Sequence, residues 1–241
     1  PGDRTTPDAV AVQEILAEMV DEGVTHVAME VTSHALDLDR VYATDFRAAL
    51  FTNLSQDHLD WHETMEDYFA TKAQLFTAYT QFTDRMDGIV NIDDAWGPKL
   101  AEIAECPVTT CGIECEADVS AGDVSLSARE TTFTLHTPSG HSEVSLNLVG
   151  MFNVYNAICA AACCHALGIS LEDIVQGLGT AEPVPGRLER VEAGQGFAVL
   201  VDYAHTPEAL ENVLEACRAL NPDRLICVFG CGGDRDTTKR P

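Results

Sequence analysis

Asp57, His58, Asp60, His62 and Glu63 place five side chains able to bind a cation or move a proton within seven residues. Carboxylates and an imidazole suit Mg²⁺ or Mn²⁺, which prefer oxygen and accept some nitrogen. Downstream, Lys72 stands where an apolar residue would pack better. Met65, Tyr68, Phe69, Leu75 and Phe76 share its helical face, at spacings of three, four and seven. A lysine in such surroundings loses affinity for its proton. A neutral amine can add CO₂, and the carbamate offers two anionic oxygens to a metal. A lysine that merely snorkels to water is the ordinary alternative, just as His58 alone would serve as a capping or core histidine.

These residues need elements to present them. Val24 to Val31 reads as a buried strand that ends in Glu30, Thr32, Ser33 and His34, and Phe46 to Leu54 as a second that delivers Asn53 and Ser55. Ligands bind beyond the carboxyl ends of strands in open α/β sheets, so Glu30 and the 53–62 stretch are expected to share a crevice. Thr64 with Asp67 starts a helix running to about Tyr79. Before these, Thr6-Pro7-Asp8 reads as a helix start with Thr6 as N-cap, followed by a stripe of Val12, Ile15, Leu16 and Met19 and a stop at Gly23. A strand at 89–92, a helix at 95–105 and a strand at 107–111 continue the alternation.

From 118 to 149 polar and apolar residues alternate, with a turn at 138–140, as in an antiparallel meander. Helices follow at 151–167 and 171–178, the second capped by Ser170. The Pro/Gly-rich joint 181–187 is the expected domain boundary. Strands at 188–193 and 197–202, a helix at 207–219 and a strand at 225–229 then open a new α/β unit. Three weaker motifs sit on this part. Asn153 and Asn156 are two carboxamides on one helical face, suited to a purine edge or to capping. Asp202-Tyr-Ala-His205 lies at a strand-to-helix junction. Gly230-Cys-Gly-Gly-Asp-Arg235 resembles an anion-accepting turn in which Arg235 can grip a carboxylate.

Composition narrows the partners. The 241 residues carry 39 acidic against 14 basic side chains, a net charge of −25, which opposes nucleic acid backbones and anionic membranes. Salt adaptation and a plainly acidic cytosolic protein both fit that balance. Nine cysteines without a CxxC pair point to reduced thiols rather than zinc. No run reaches membrane-spanning length. Pro1 at one end, and Pro241 just after a Gly-rich loop at the other, suggest a piece of a longer protein.

Taken together, MEVTSHALDLDRV, FTNLSQDHLDWHETMEDYFATKAQLF, LVGMFNVYNA, VPGRLERV, VDYAHTPEAL and VFGCGGDRDTTKRP resemble the Mur ligases in order and spacing. They are most similar to the MurE type, which adds the third residue of the peptidoglycan stem peptide. The resemblance implies an α/β fold: a mostly parallel ATPase central domain with an antiparallel meander over 1–182, then the start of a Rossmann-like carboxy-terminal domain at 183–241. It implies that ATP phosphorylates the D-Glu carboxylate of UDP-MurNAc-L-Ala-D-Glu, and that meso-diaminopimelate attacks the acyl phosphate. By position, Lys72 matches a carbamylated, metal-holding lysine, Glu30 and His58 match metal ligands, and two Mg²⁺ sites are implied. Thr5, Thr6, Thr32 and Arg40 match the sugar-dipeptide site, and Arg235 the site of the incoming amino acid. Asn153, Asn156, Arg187 and Asp202 match ATP contacts, with His205 beside Lys72 in the catalytic set. A cytoplasmic monomer without membrane insertion or nucleic acid is implied.

The sequence departs from the family in places. Thr32 stands where Ser is frequent, and Leu38 where some members carry a substrate-contacting Gln. The phosphate loop GxxGK[ST] is absent and expected upstream, and the segment that sorts diaminopimelate from lysine is expected beyond Pro241, so the 241 residues alone are expected to be inactive. Lysine addition, another Mur ligase or a folylpolyglutamate synthetase-like ligase are alternatives within the fold. A metal-dependent phosphohydrolase using Asp57, His58 and His62, or a non-catalytic module, are alternatives outside it.

Overall fold

The computed structural model describes residues 5–128, 130–205 and 207–230. The chain divides into two compact units, Pro1–Ala117 and Asp118–Pro241.

In the first unit, parallel strands β1 (Ala48–Phe51), β2 (Asp87–Asn91) and β3 (Val108–Gly112) pair in that order, with Leu50 opposite Ile89 and Ile89 opposite Thr109. Every residue of β2 is buried, as expected for a strand covered on both faces. Helix α3 (Met65–Ala73) contributes Tyr68, Phe69 and Ala73 to a core shared with Phe51, Leu54, Phe76, Val90 and Leu100. Thr64 caps α3 as its sequence indicates, accepting from the Asp67 N–H at 3.1 Å and donating to the Asp67 carboxylate at 2.7 Å. The α-helix stops at Ala73, however. The chain reaches Tyr79 through short 3₁₀ turns at Gln74–Phe76 and Ala78–Phe82. Helix α4 (Gly97–Ile103) follows β2, and a Cβ at Gly97 would lie 1.9 Å from the Asn91 carbonyl, so only glycine permits that approach.

Two further expectations for this unit do not hold. Helix α1 (Ala9–Asp21) is capped by Asp8, whose carboxylate accepts from the Ala11 N–H at 3.1 Å. Thr6 is buried and bonds elsewhere, because its hydroxyl is taken by the backbone near Glu30. Residues 24–31 are not a strand. A buried parallel strand needs a neighbour to satisfy its backbone, and no ladder forms with this run among the described residues. Val24 and Val27 are accordingly exposed. The run leads into the short helix α2 (Ser33–Asp37), capped by the Thr32 hydroxyl.

The second unit opens with the expected meander. Strands β4 (Val119–Leu126), β5 (Thr131–Thr137) and β6 (Gly140–Leu146) pair antiparallel, with Phe133 opposite Val144 and a register shift between Gly122 and Ser125. Val119, Ala121, Phe133, Leu135, Val144 and Leu146 are buried at alternate positions. Helices α5 (Met151–Ala166) and α6 (Leu171–Gly179) follow, and Ser170 caps the latter by accepting from the Asp173 N–H. Beyond the Pro/Gly-rich joint, strands shrink to β7 (Glu189–Arg190) and β8 (Leu200–Val201), before helix α7 (Pro207–Ala219). The expected strand at 225–229 is absent. Ile226, Val228 and Phe229 are exposed, and no partner strand meets them among the described residues. The parallel strands β1, β2 and β3 alternate with helices α3 and α4, which is the α/β class the sequence indicates. Among the described residues no helix is long and apolar enough to cross a membrane.

Candidate functional site

Lys72 lies in the last turn of α3, one turn beyond Tyr68, and its ammonium stands 5.3 Å over the Tyr68 ring. Burial pushes its pKa below the ordinary 10.5, and the Glu30 and Asp57 carboxylates oppose that shift without cancelling it. The amine is thus both desolvated and within the field of two acids.

His58 approaches the same ring from a turn. Its backbone takes φ of 54°, a conformation rare for non-glycine residues but more often adopted by His. The Asp57 carboxylate accepts from the His58 N–H at 2.8 Å, and the His58 carbonyl accepts from Trp61 and His62. That hydrogen bonding lets the chain reverse and aim the imidazole inward. The His58 ring meets Tyr68 edge-on at 5.9 Å and His34 edge-on at 4.8 Å.

His62 points away from any solvent-facing role. It is 5% exposed, its Nε2 lies 2.8 Å from the Ser33 hydroxyl, and its ring stacks on Tyr68 at 5.0 Å. Burial, then His34, lowers its pKa. Trp61 donates to Asp37 at 2.9 Å, tying the same turn to α2.

Thr6, Glu30, Thr32 and Arg40 are joined by a second network in this unit. Thr6 donates to the Glu30 carbonyl at 2.9 Å and accepts from the Thr32 N–H at 3.4 Å, while Arg40 donates to the Thr6 carbonyl at 3.2 Å. Thr5 and Glu30 are exposed and line a cleft of about 150 Å³ beside Val12, Leu16 and Met29.

Sequence reasoning missed the residues that hold the strand ends. Asn91 donates to the Thr52 carbonyl at 2.8 Å, and Asp94 accepts from Leu54 at 3.1 Å. Asp93 accepts from Glu114 and Cys115 at 2.9 Å each. One Asn-x-Asp-Asp run after β2 therefore anchors the loops after β1 and β3. The signal lay in its place at a strand end, where unpaired N–H groups need acceptors. From sequence alone, Ser33 is only a strand-end residue and Tyr68 only part of an apolar face.

In the second unit, Asn153 is buried, donating to the Val149 carbonyl and accepting from Asn156, which is exposed. Asp202 accepts from Leu188 and from Ala204, each at 2.8 Å. Arg187 and His205 flank one aromatic ring: the guanidinium lies 5.9 Å over Tyr203, and the imidazole meets Tyr203 at 4.9 Å while donating to the Tyr203 carbonyl at 3.0 Å. Arg235 lies outside the described residues.

No group of three His, Cys, Asp or Glu side chains converges as a ready metal site among the described residues. The donor chemistry around Lys72 is nevertheless of the kind a divalent cation takes: a carboxylate, an imidazole and an amine able to become a carbamate. Burial favours the neutral Lys72 amine, the form that adds CO₂, and Glu30 and Asp57 already act on that position.

Residues 1–164 match the model of the Mur ligase middle domain, and residues 186–241 that of the Mur ligase glutamate ligase domain. The chain is 46% identical over 241 residues to a UDP-N-acetylmuramoyl-L-alanyl-D-glutamate–2,6-diaminopimelate ligase of Bacillus licheniformis, covering 98% of this chain and 49% of that protein. A ligase of the same name from Thermosynechococcus vestitus is 48% identical over 242 residues, 98% of this chain and 48% of its own length. A solved structure of a ligase with that name superposes with a TM-score of 0.80 at 33% identity, covering 98% of this chain and 48% of the other. The chain thus spans about half the length of the curated relatives it matches.

Proposed function

Because the chain belongs to the Mur ligase family, we propose that it forms the central and carboxy-terminal parts of an ATP-dependent ligase of peptidoglycan precursor synthesis. The ligase adds meso-diaminopimelate to UDP-MurNAc-L-Ala-D-Glu. The domain boundary is placed near Pro183, in keeping with the gap between the two matched spans. The observation that carries the reading is Lys72, a desolvated lysine that shares the Tyr68 ring with His58 and lies within the field of Glu30.

The neutral form of Lys72, which burial favours, forms an N–C bond to CO₂ and releases a proton, leaving a carbamate. Glu30, His58 and that carbamate would hold Mg²⁺, which would supply positive charge to neutralise converging phosphate and carboxylate oxygens. The family reaction transfers the γ-phosphoryl group of ATP to the D-Glu carboxylate. The amine then attacks the acyl carbon and phosphate leaves. Thr5, Thr6, Thr32 and Arg40 orient the sugar-dipeptide, Arg235 the incoming amino acid. Asn153, Asn156, Arg187, Asp202 and His205 handle the nucleotide, and the exposure of Arg187 and His205 leaves both open to a polyanion. The protein acts as a cytoplasmic monomer.

A phosphohydrolase centred on Asp57, His58 and His62 draws no support from the geometry, since His62 is buried against Ser33 and Tyr68. The test is Lys72→Arg in the full-length protein, supplied with ¹³C-bicarbonate. Wild type is expected to show a carbamate carbon by NMR and bicarbonate-dependent ligation, with the variant lacking both. Normal ligation by the variant would sink the reading. Preference for lysine as acceptor would move the enzyme to the lysine-adding class.

A further inference from the structure

Tyr68 is only 6% exposed, yet its surroundings are not those of an ordinary core aromatic. His62 stacks on the ring at 5.0 Å with planes 17° apart, His58 meets it edge-on at 5.9 Å, and the Lys72 ammonium lies over it at 5.3 Å. Two of these three neighbours are the side chains assigned to the cation. The third is held by the Ser33 hydroxyl at 2.8 Å, on the helix that directly follows Thr32.

We propose that Tyr68 is a positioning residue for the metal site, its ring setting the separation and orientation of His58 and Lys72, with the His62–Ser33 pair locking the ring in place. The proposal rests on the ligase reading above. A flat aromatic body is what the three contacts require. A stacked imidazole and an overlying amine use a π face, and an edge-on imidazole uses the ring's charge asymmetry. An aliphatic side chain fills similar volume but directs none of them. His58 depends on such support because it projects from a turn of positive φ rather than from a helix or strand. Lys72 depends on it because a four-carbon stem leaves its terminal nitrogen free to wander.

Residues that orient metal ligands are commonly worth about 10–100-fold in metal affinity, and that range sets the expected effect. The full-length protein, equilibrated with bicarbonate, is titrated with Mn²⁺ and free Mn²⁺ is read by electron paramagnetic resonance. Circular dichroism and Tm monitor the fold. Tyr68→Phe, which keeps the ring, is expected to stay within about 3-fold of wild type, and Tyr68→Leu to weaken binding by about 10-fold or more while remaining folded. Ser33→Ala releases His62 without touching the ring and is expected to weaken Mn²⁺ by a smaller factor. It carries the test if Tyr68→Leu fails to fold. His58→Ala is the control for the underlying reading. If His58→Ala loses Mn²⁺ while Tyr68→Leu, or in its place Ser33→Ala, binds like wild type, the positioning role is overturned and the ligase reading stands. If wild type binds no Mn²⁺, or His58→Ala binds it unchanged, the metal assignment falls and the positioning role with it.

Discussion

The Lys72 centre and the Arg187–Asp202–His205 group present similar side-chain chemistry by opposite means. Around Lys72 the positions are fixed by packed rings: Tyr68 and His62 are buried, and His58 is half-buried between Tyr68 and His34. Around Arg187 they are fixed by the backbone. Asp202 accepts from two main-chain N–H groups, and Tyr203, which carries Arg187 and His205 on its ring, is 67% exposed. Burial can change the chemistry of an amine, whereas an exposed guanidinium keeps its charge and serves only to hold. The first arrangement suits a group that must be altered before it works. The second suits groups that grip a ligand arriving from water.

If that contrast is right, the largest effect comes from the buried amine. Lys72→Ala in the full-length protein is expected to lower turnover by about 100-fold or more, since it removes charge stabilisation at the reacting centre. Steady-state ligation with saturating ATP measures it, and a loss of less than a few-fold would break the comparison at its stronger end. Arg187→Ala comes next. A surface cation that grips phosphate contributes mainly to binding, so the ATP KM is expected to rise about 10-fold, at the level of one charged hydrogen bond. Turnover and Tm should change little. A fall in kcat with unaltered KM would show that Arg187 acts on the reaction rather than on the nucleotide.

A third measurement separates the regions by pH. Because burial lowers the Lys72 pKa, the folded chain releases a proton that the unfolded chain retains up to its ordinary value near 10.5. Stability without bicarbonate should therefore rise with pH from the lowered folded value up to about 10.5, by at most about 1.4 kcal/mol per unit. Lys72→Met should flatten that component and leave the folded protein as stable or more so at neutral pH, because a desolvated charge is gone. Urea denaturation of wild type and variant across pH 7 to about 10.5 decides it, parallel curves being the adverse result.

Much of this was legible in the chain. The Thr64 and Ser170 caps, the meander and helix α7 follow local rules of capping and periodicity that need no distant partner. Lys72 stood out because its type contradicts its face. What escaped the sequence depends on groups remote along it. Thr6 lost its expected capping role because Asp8 was as good a cap and Glu30, 24 residues away, offered a carbonyl. The runs 24–31 and 225–229 have strand composition, but composition cannot supply a ladder partner. The Ser33–His62 bond spans 29 residues, and nothing about either residue alone announces the other.

The smallest effect tests the comparison most evenly. Thr64 and Ser170 make the same bond, a hydroxyl accepting from the N–H three residues on, at 3.1 Å in both cases. Replacing either by Ala should cost about 1 kcal/mol, read as a fall in urea midpoint. Their consequences for function should differ. Thr64 starts the helix that carries Tyr68 and Lys72, so fraying that end loosens the ring on which His58 and the amine are set. Ser170 starts α6, which bears none of the candidate site residues. At a temperature where both variants are fully folded, Thr64→Ala should weaken Mn²⁺ binding by a few-fold, and Ser170→Ala should not. Equal metal affinity in the pair would mean that the Lys72 centre is held by its rings alone, without help from the helix end beneath them.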